Sequence, residues 1–221
     1  MKTILGNYGE VRFCDNMDLD DGIPAMQSKS FDAVITDPPY GGGVKKKGRI
    51  NYADEFLGLD WFFHALRIGE NVAFTSGQIR MFDYPKPNLI ICWYKPACCG
   101  HNCVGGMCNW EPILYYGKKR ISIDVIKTPA GNKSGLTLHS TPKPVYLWTK
   151  LINLIQPKTV LDPFIGSGTT AQVCEMLGIN YIGYELEEKY IPDINKRIKK
   201  GIVEHSRYKK KITTRALTLN I

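Results

Sequence analysis

The chain has 221 residues, of which 43% are hydrophobic, and it carries a formal net charge of +8. This length and composition favour one large domain with a substantial core. No stretch reaches the roughly 18 apolar residues of a membrane-spanning helix, and the seven cysteines are odd in number and unevenly placed, which argues against the disulfide framework of a secreted protein. A cytoplasmic protein with reduced thiols and no membrane partner is expected.

The basic charge balance indicates a polyanionic partner such as nucleic acid. The sequence pI of about 9.0 agrees with this interpretation. The alternative is that a mildly basic surface serves solubility alone, so the charge by itself does not identify the partner.

The first strands are short and apolar. Residues 9–14 predict a strand that leads to Asp15 and Asn16, and residues 17–26 predict a polar connection or a short helix. Residues 31–36 predict a buried parallel strand. This strand must stop at Asp37, because the two prolines that follow have no N–H group for the ladder.

The motif after that strand carries the first candidate site. It consists of Asp37, Pro38, Pro39 and Tyr40, followed by three glycines. A carboxylate and a rigid carbonyl are two acceptors for one NH2 group, and a tyrosine face suits stacking on a planar ring. The motif therefore predicts a flat heterocycle with an exocyclic amine as ligand, although Asp-Pro-Pro is also an ordinary turn sequence.

A basic loop comes next. Residues 41–54 combine glycines with Lys45, Lys46, Lys47 and Arg49. A basic loop beside the candidate site is expected to contact phosphates, and the alternative is a solvated loop without a ligand.

The middle of the chain predicts scaffold elements. Apolar residues at helical spacing predict a helix over residues 56–67, and strands are predicted at 71–75, 88–94 and 112–116. Strands that alternate with helices predict a mostly parallel sheet. Residues 118–138 show no periodicity and are predicted to be irregular.

A loop between the last two of these strands is rich in possible metal ligands. It contains Cys98, Cys99, His101, Cys103 and Cys108. The loop lacks the paired C-x2-C spacing of zinc sites, so no metal is predicted, and free thiols are the alternative to a zinc site.

The second candidate site follows an amphipathic helix predicted over residues 145–155. A short strand at 159–161 ends in the glycine-rich turn 162–170, and a helix follows to residue 177. A further strand at 181–184 ends at Glu185, at a spacing suited to an acid that binds ribose. The turn lacks G-K-[ST], so a ligand with adenosine but no pyrophosphate fits, and S-adenosyl-L-methionine is the obvious one.

The two motifs in this order resemble those of the amino-methyltransferases of DNA, in the permuted arrangement called the β class. The resemblance spans about residues 9–192. It implies an α/β, Rossmann-like methyltransferase fold with a mostly parallel seven-stranded sheet and one antiparallel strand. It also implies a catalytic domain over residues 1–195 with small recognition loops at about 41–54 and 95–138, and a basic tail over 196–221.

The resemblance also assigns roles to residues. The first motif is similar to the catalytic motif of the family, and Glu185 to the acid that binds ribose. Asp15 is similar to the residue that faces the cofactor adenine, although Cys14 stands where the family usually has glycine. The remaining cofactor residues implied by the resemblance are Thr141, Lys143, Asp162, Phe164, Gly166, Ser167, Gly168 and Thr169.

The activity implied by the resemblance is methyl transfer to the N6 amine of adenine in double-stranded DNA, with the target base flipped out of the helix. The alternative target amines are N4 of cytosine in DNA and N6 of adenine in RNA. The non-enzymatic alternative is a protein that only binds nucleic acid. The modest length available for recognition loops predicts a short or relaxed target sequence. A monomer or a homodimer is expected.

Overall fold

The computed structural model describes residues 1–40, 58–96, 106–128 and 142–218, with side chains up to residue 206. One sheet runs through these residues. Its strands, numbered in chain order, are β1 (Lys2–Leu5), β2 (Gly9–Phe13), β3 (Phe31–Thr36), β4 (Gly69–Thr75), β5 (Leu89–Tyr94), β6 (Trp110–Tyr116), β7 (Val125–Lys127), β8 (Thr159–Asp162) and β9 (Asn180–Glu185).

Within the described ranges four α-helices pack on the sheet, with short 3₁₀ turns at Ile23–Ala25, Arg80–Asp83 and Glu188–Tyr190. The strand predicted over residues 31–36 and the helix predicted over residues 145–155 are observed with these bounds, because both have strong apolar patterns. The helix predicted over residues 56–67 begins at Asp60 and ends at Ile68, and Gly58 and Leu59 are described but not helical. The helices are α1 (Asp60–Ile68), α2 (Val145–Ile155), α3 (Thr169–Leu177) and α4 (Ile191–Thr218).

The sheet has nine strands in the described residues, not the seven predicted, in the order β1-β2-β9-β8-β3-β4-β6-β5-β7. β6 runs antiparallel to β4 and β5, and β1 runs antiparallel to β2. In the described residues two strands, β1 and β6, therefore run against the others, where one antiparallel strand was predicted. The two additional strands are the short edge strands β1 and β7, whose few and mostly exposed residues give almost no periodic signal.

The described residues form two apolar cores on opposite faces of the sheet. In β3, Ala33 and Ile35 join the core under α2, α3 and α4, while Val34 joins the core under α1. Both faces of the strand are buried, as is typical of a parallel sheet covered by helices on each side. Helices on both faces leave the strand ends as the part of the sheet where side chains remain accessible.

The start of α4 is part of the first core. Ile194 is 0% exposed and Ile198 is 3% exposed, and the helix runs without interruption across residue 195, where the domain boundary was predicted. In the part of the chain that the structure describes, no helix combines the length and apolar character that crossing a bilayer requires.

Candidate active site

The two sequence motifs lie at adjoining strand ends. β3 and β8 pair in parallel, with Ala33 opposite Val160, so their carboxyl ends lie at the same edge of the sheet. The Thr36 hydroxyl at the end of β3 donates to Asp162 Oδ1 at the end of β8, over 2.5 Å. The chain continues from β3 to its neighbour β4 and from β8 to β9 on the other side. Such a switch point is where open α/β sheets bind ligands.

Lys143 connects the two motifs a second time. Its ammonium Nζ lies 2.7 Å from Asp37 Oδ1, and its backbone carbonyl accepts a hydrogen bond of 3.2 Å from the Thr169 hydroxyl at the start of α3. The resemblance assigned Lys143 to the cofactor pocket. In the structure its backbone contacts the glycine-rich turn and its side chain lies in the cluster around Asp37.

The Asp37 carboxylate is held through one of its two oxygens. Oδ1 accepts from the Thr75 hydroxyl at the end of β4 and from Lys143, and the Tyr40 hydroxyl lies 2.7 Å away. A carboxylate oxygen has about two lone-pair sites, so Thr75 and Lys143 suffice to fill Oδ1. Among the described residues no hydrogen bond to Oδ2 is found, which leaves that oxygen as an acceptor for a ligand.

Glu111 and Lys95 complete this cluster, and sequence reasoning missed both. Glu111 Oε1 accepts from the Tyr40 hydroxyl and lies 3.4 Å from Lys143 Nζ, while Lys95 Nζ lies 3.2 Å from Glu111 Oε2. The sequence gives one indication of this cluster, which is the charge of Glu111 within the otherwise apolar strand β6. A glutamate in such a strand is rarely buried unless it is paired.

Charge pairing sets the ionisation of the cluster. Burial is the largest single influence on the pKa of Glu111 and raises it, but Lys143, Tyr40 and Lys95 together outweigh burial and lower that pKa. Burial lowers the pKa of Lys143, and Asp37 and Glu111 reverse this and raise it. Burial, and then the Asp37 charge, raise the pKa of Tyr40 well above its ordinary value. The lysine is therefore cationic, and the phenol is neutral at physiological pH.

The second motif is organised by a buried carboxylate. Asp162 is 3% exposed, and it accepts from the hydroxyls of Thr36 and Thr170 and from the Phe164 N–H at 3.0 Å. Burial raises the pKa of Asp162 to about 6 in spite of these three donors. Because three of its roughly four lone-pair sites are used within the protein, Asp162 holds the glycine-rich turn against β3.

The glycine-rich turn needs its glycines. Gly166 and Gly168 have φ of +54° and +85°, values that favour glycine, and a Cβ on Gly168 would meet Ile194 Cα at 3.2 Å. Gly168 is the N-cap of α3, so the first N–H groups of that helix follow the turn directly. Ser167 is buried, and the Phe164 ring packs edge-on to Trp61 with centroids 5.2 Å apart.

Glu185 ends β9, the neighbour of β8. Its Oε1 accepts from the Glu187 N–H at 2.8 Å. Burial raises the pKa of Glu185 to about 7. A half-buried carboxylate at this strand end has the chemistry to accept hydrogen bonds from a pair of hydroxyl groups.

The end of β2 offers two neighbouring polar residues. Asp15 is exposed, and its Oδ1 accepts from the Met17 N–H at 2.9 Å. Asn16 is buried, and its side-chain amide donates to the Pro163 carbonyl at 2.7 Å. Sequence reasoning missed Asn16, which joins the end of β2 to the glycine-rich turn.

Several candidates lie outside the described residues. They include the predicted cofactor residue Thr141 and most of the cysteine-rich loop. In that loop Cys108 is described, and its thiol lies 3.4 Å from the Trp110 carbonyl. Within the described ranges, no group of three metal-ligating side chains is found. The predicted phosphate contacts that lie outside are Lys45, Lys46, Lys47 and Arg49.

Sequence comparisons connect this site to known proteins. The family model described as DNA methylase matches residues 109–196. The Type II methyltransferase M.HinfI of Haemophilus influenzae is 42% identical over 92 residues, which are 41% of this chain and 23% of that protein. The DNA adenine methyltransferase YhdJ of Escherichia coli is 26% identical over 223 residues, with 75% of each chain covered. The alignment spans less than a quarter of M.HinfI.

Solved structures share the fold. The M1.HpyAVI–SAM complex superposes with a TM-score of 0.61 at 23% identity, covering 86% of this chain and 99% of that one. The PvuII DNA methyltransferase, which is cytosine-N4-specific, superposes with a TM-score of 0.66 at 16% identity, covering 91% and 93%. The fold predicted from the sequence is thereby confirmed, apart from the number of strands and the number of antiparallel strands. The family match over the second motif and the aligned relatives show that the chain is similar to the DNA amino-methyltransferases.

Proposed function

We propose that this protein transfers a methyl group from S-adenosyl-L-methionine to the exocyclic N6 amine of adenine in double-stranded DNA. The observation that carries the proposal is the junction at the ends of β3 and β8. There Lys143 contacts both the Asp37 carboxylate and the hydroxyl of Thr169 beside the glycine-rich turn. An amine acceptor and a turn suited to a cofactor therefore lie side by side.

The residues present fit the cofactor. Glu185 provides a carboxylate for the two ribose hydroxyls, and the turn 166–168 provides backbone that approaches a ligand closely. Asp15 at the end of β2 is proposed to face the adenine, and Thr141 to complete the pocket. S-adenosylmethionine, when bound, supplies a methyl group on an electrophilic sulfonium.

The chain's own residues would act on the target amine. An aromatic amine is a poor nucleophile because its lone pair is delocalised into the ring. Asp37 Oδ2, which has no hydrogen-bond partner among the described residues, and the Pro38 carbonyl accept its two hydrogens. This makes the nitrogen more tetrahedral and directs its lone pair outward. The nitrogen loses one proton after the transfer, and the Asp37 carboxylate is in place to accept it. Pro39 keeps the segment before Tyr40 rigid.

DNA is expected to bind over this edge of the sheet with the target base flipped out, at a cost of a few kcal/mol. The proposed phosphate contacts are the basic residues between 45 and 49 and the basic tail beyond residue 195. Readout by the loops near 41–54 and 95–138 would give a short or relaxed target sequence. We assign the protein to the β class from the order of its two motifs. We also propose that it acts as a monomer or a homodimer.

Adenine is favoured over cytosine because Asp-Pro-Pro-Tyr is commoner among adenine enzymes of the family the chain resembles. YhdJ, which aligns with three quarters of the chain, carries the name of an adenine methyltransferase. Cytosine N4 presents the same NH2 group to the same acceptors, and adenine in RNA does so as well.

One experiment tests the proposal. The protein is incubated with methyl-labelled cofactor and unmethylated genomic DNA or RNA, and the digested nucleosides are analysed by mass spectrometry. Label in N6-methyladenine from DNA is expected. Label in N4-methylcytosine or in RNA would overturn the substrate, and no transfer would overturn the activity. Sequencing the modified bases of the same DNA would reveal a long, strict motif if the prediction of a relaxed target is wrong.

Replacing Tyr40 with alanine is expected to lower kcat/KM for DNA by about tenfold to a hundredfold, because stacking of a base on an aromatic ring contributes roughly 1–3 kcal/mol. Tyr40→Phe keeps the ring, so this variant is expected to retain most of the wild-type kcat/KM. Steady-state kinetics of both variants on the same DNA measure it. An equal loss in the two variants would show that the hydroxyl, and not the ring, provides the contribution.

Cofactor affinity is expected to depend on pH through Glu185. Ribose hydroxyls donate hydrogen bonds to the ionised carboxylate, so binding favours the deprotonated form. With a pKa of about 7, the carboxylate is mostly protonated at pH 6 and mostly ionised at pH 8. The affinity should therefore rise about tenfold between these two values.

Isothermal titration with S-adenosylhomocysteine at both pH values measures this change. Glu185→Gln should bind more weakly at pH 8 and lose the part of the pH dependence that comes from this carboxylate. An unchanged pH dependence in the variant would assign the titration to another group.

A further inference from the structure

Glu111 is the centre of a buried charged cluster, and the proposed chemistry assigns it no role. It lies on β6, directly opposite Trp93 on β5, and its side chain is 12% exposed. Lys95 and Lys143 lie on either side of its carboxylate, 3.2 and 3.4 Å away. Both ammonium groups also lie over the Trp93 ring, at 4.9 and 5.9 Å from its centroid.

The Tyr40 hydroxyl has one proton and two carboxylates beside it. Asp37 Oδ1 lies 2.7 Å away and Glu111 Oε1 lies closer. Lys143 donates to the same phenol oxygen over 3.1 Å. The shorter contact assigns the phenol proton to Glu111. Asp37 Oδ1 then accepts from the Thr75 hydroxyl and the Lys143 ammonium. Glu111 therefore fixes the tilt of the ring proposed to stack on the target base.

Glu111 also balances the charge around Asp37. Among the described residues the cluster contains two carboxylates, Asp37 and Glu111, and two ammonium groups, Lys95 and Lys143. Without the charge of Glu111, Lys95 would lose this carboxylate partner, and Lys143 would face Asp37 alone. Lys143 would then bind Asp37 without a competitor, and the carboxylate would be a weaker acceptor for an amine.

We propose that Glu111 is a positioning residue for methyl transfer, which orients Tyr40 and shares the charge of Lys143 so that Asp37 remains free to accept the target amine. This inference rests on the proposed function. It assigns Glu111 no contact with the substrate, so its effect should appear in the rate of the transfer step and not in cofactor binding.

Glu111→Gln tests the charge while it keeps an acceptor for the Tyr40 hydroxyl. We expect kcat for DNA methylation to fall about tenfold to a hundredfold, and the affinity for S-adenosylhomocysteine to stay within twofold. Rates are divided by the fraction of chains that bind this ligand, so partial unfolding does not enter kcat. Glu188→Gln is the matched control, since it removes a carboxylate from an exposed ion pair of 3.0 Å with Lys2, and it should have wild-type kcat.

A second substitution separates charge balance from a merely structural role. Lys143→Met alone leaves two carboxylates with one lysine, and Glu111→Gln alone leaves two lysines with one carboxylate. The double variant restores one of each. We expect it to have a higher kcat than either single variant, which independent structural damage would not produce.

The outcomes are distinct. A wild-type protein that methylates DNA, together with a Glu111→Gln variant of equal kcat, would overturn this inference and leave the proposed function intact. Losses that multiply in the double variant would overturn it as well. A wild-type protein that binds cofactor but transfers no methyl group would overturn the proposed function, and this inference with it.

Discussion

Asp37→Asn is expected to lower kcat for methyl transfer about 10³-fold while the affinity for cofactor stays within twofold. The amide oxygen of the variant will face the donors that surround Oδ1, the Thr75 hydroxyl and the Lys143 ammonium. Its NH2 group then takes the place of Oδ2 and presents a donor to the amine of the base, which is itself a donor. Loss of one such polar contact to the transition state typically costs 10²- to 10³-fold, and donor-donor repulsion adds to it.

Single-turnover kinetics with labelled cofactor measure this effect without a contribution from product release. Asp20→Asn, in the exposed acidic stretch after β2, is the control for a change of net charge and should have wild-type rates. A variant at Asp37 that methylates DNA at the wild-type rate would refute the proposed role of the carboxylate.

The parts of the fold that could be predicted were those with a strong local signal. The bounds of β3 were predicted because a run of β-branched and apolar residues ends at two prolines, and those of α2 because its apolar residues repeat at helical spacing. The pairing of the two motifs followed from a general rule, since both come directly after parallel strands, and such strands end at one edge of a sheet.

The parts that could not be predicted depend on contacts between distant segments. The edge strands β1 and β7 form because a neighbouring strand offers hydrogen bonds, and their own four and three residues carry little pattern. Glu111 lies 71 positions from Tyr40, and no local pattern shows that its strand passes the end of β3.

The structure also separates roles that the resemblance had combined. Asp162 and Lys143 were both predicted to bind cofactor. Asp162 uses its lone pairs on three donors of the protein, and the ammonium of Lys143 lies with Asp37 and Glu111. Cofactor contacts of both residues remain predictions, whereas their contacts within the protein show how the two motifs are held together.

Asp162→Ala is therefore expected to destabilise the fold by about 3–5 kcal/mol, a large part of the 5–15 kcal/mol that is typical of a domain. The substitution leaves the hydroxyls of Thr36 and Thr170 and the Phe164 N–H without their buried acceptor. Each unsatisfied buried group costs about 1–3 kcal/mol. Thr170 also accepts a hydrogen bond of 2.7 Å from the Trp148 indole, so the damage should extend to the contact between α3 and α2.

Denaturant unfolding at pH 5 and at pH 8 measures the free energy of unfolding. Because burial raises the pKa of Asp162 to about 6, its contribution to stability falls as the pH rises through that value, and the loss in the alanine variant should be larger at pH 5. Asp162→Asn should lose less than the alanine variant, because its amide oxygen still accepts from Thr36 and Phe164. Asp124→Ala, an exposed carboxylate, should change stability by less than about 0.5 kcal/mol. If the alanine variant is as stable as the wild type but no longer binds cofactor, Asp162 contacts the cofactor directly and does not act by holding the turn.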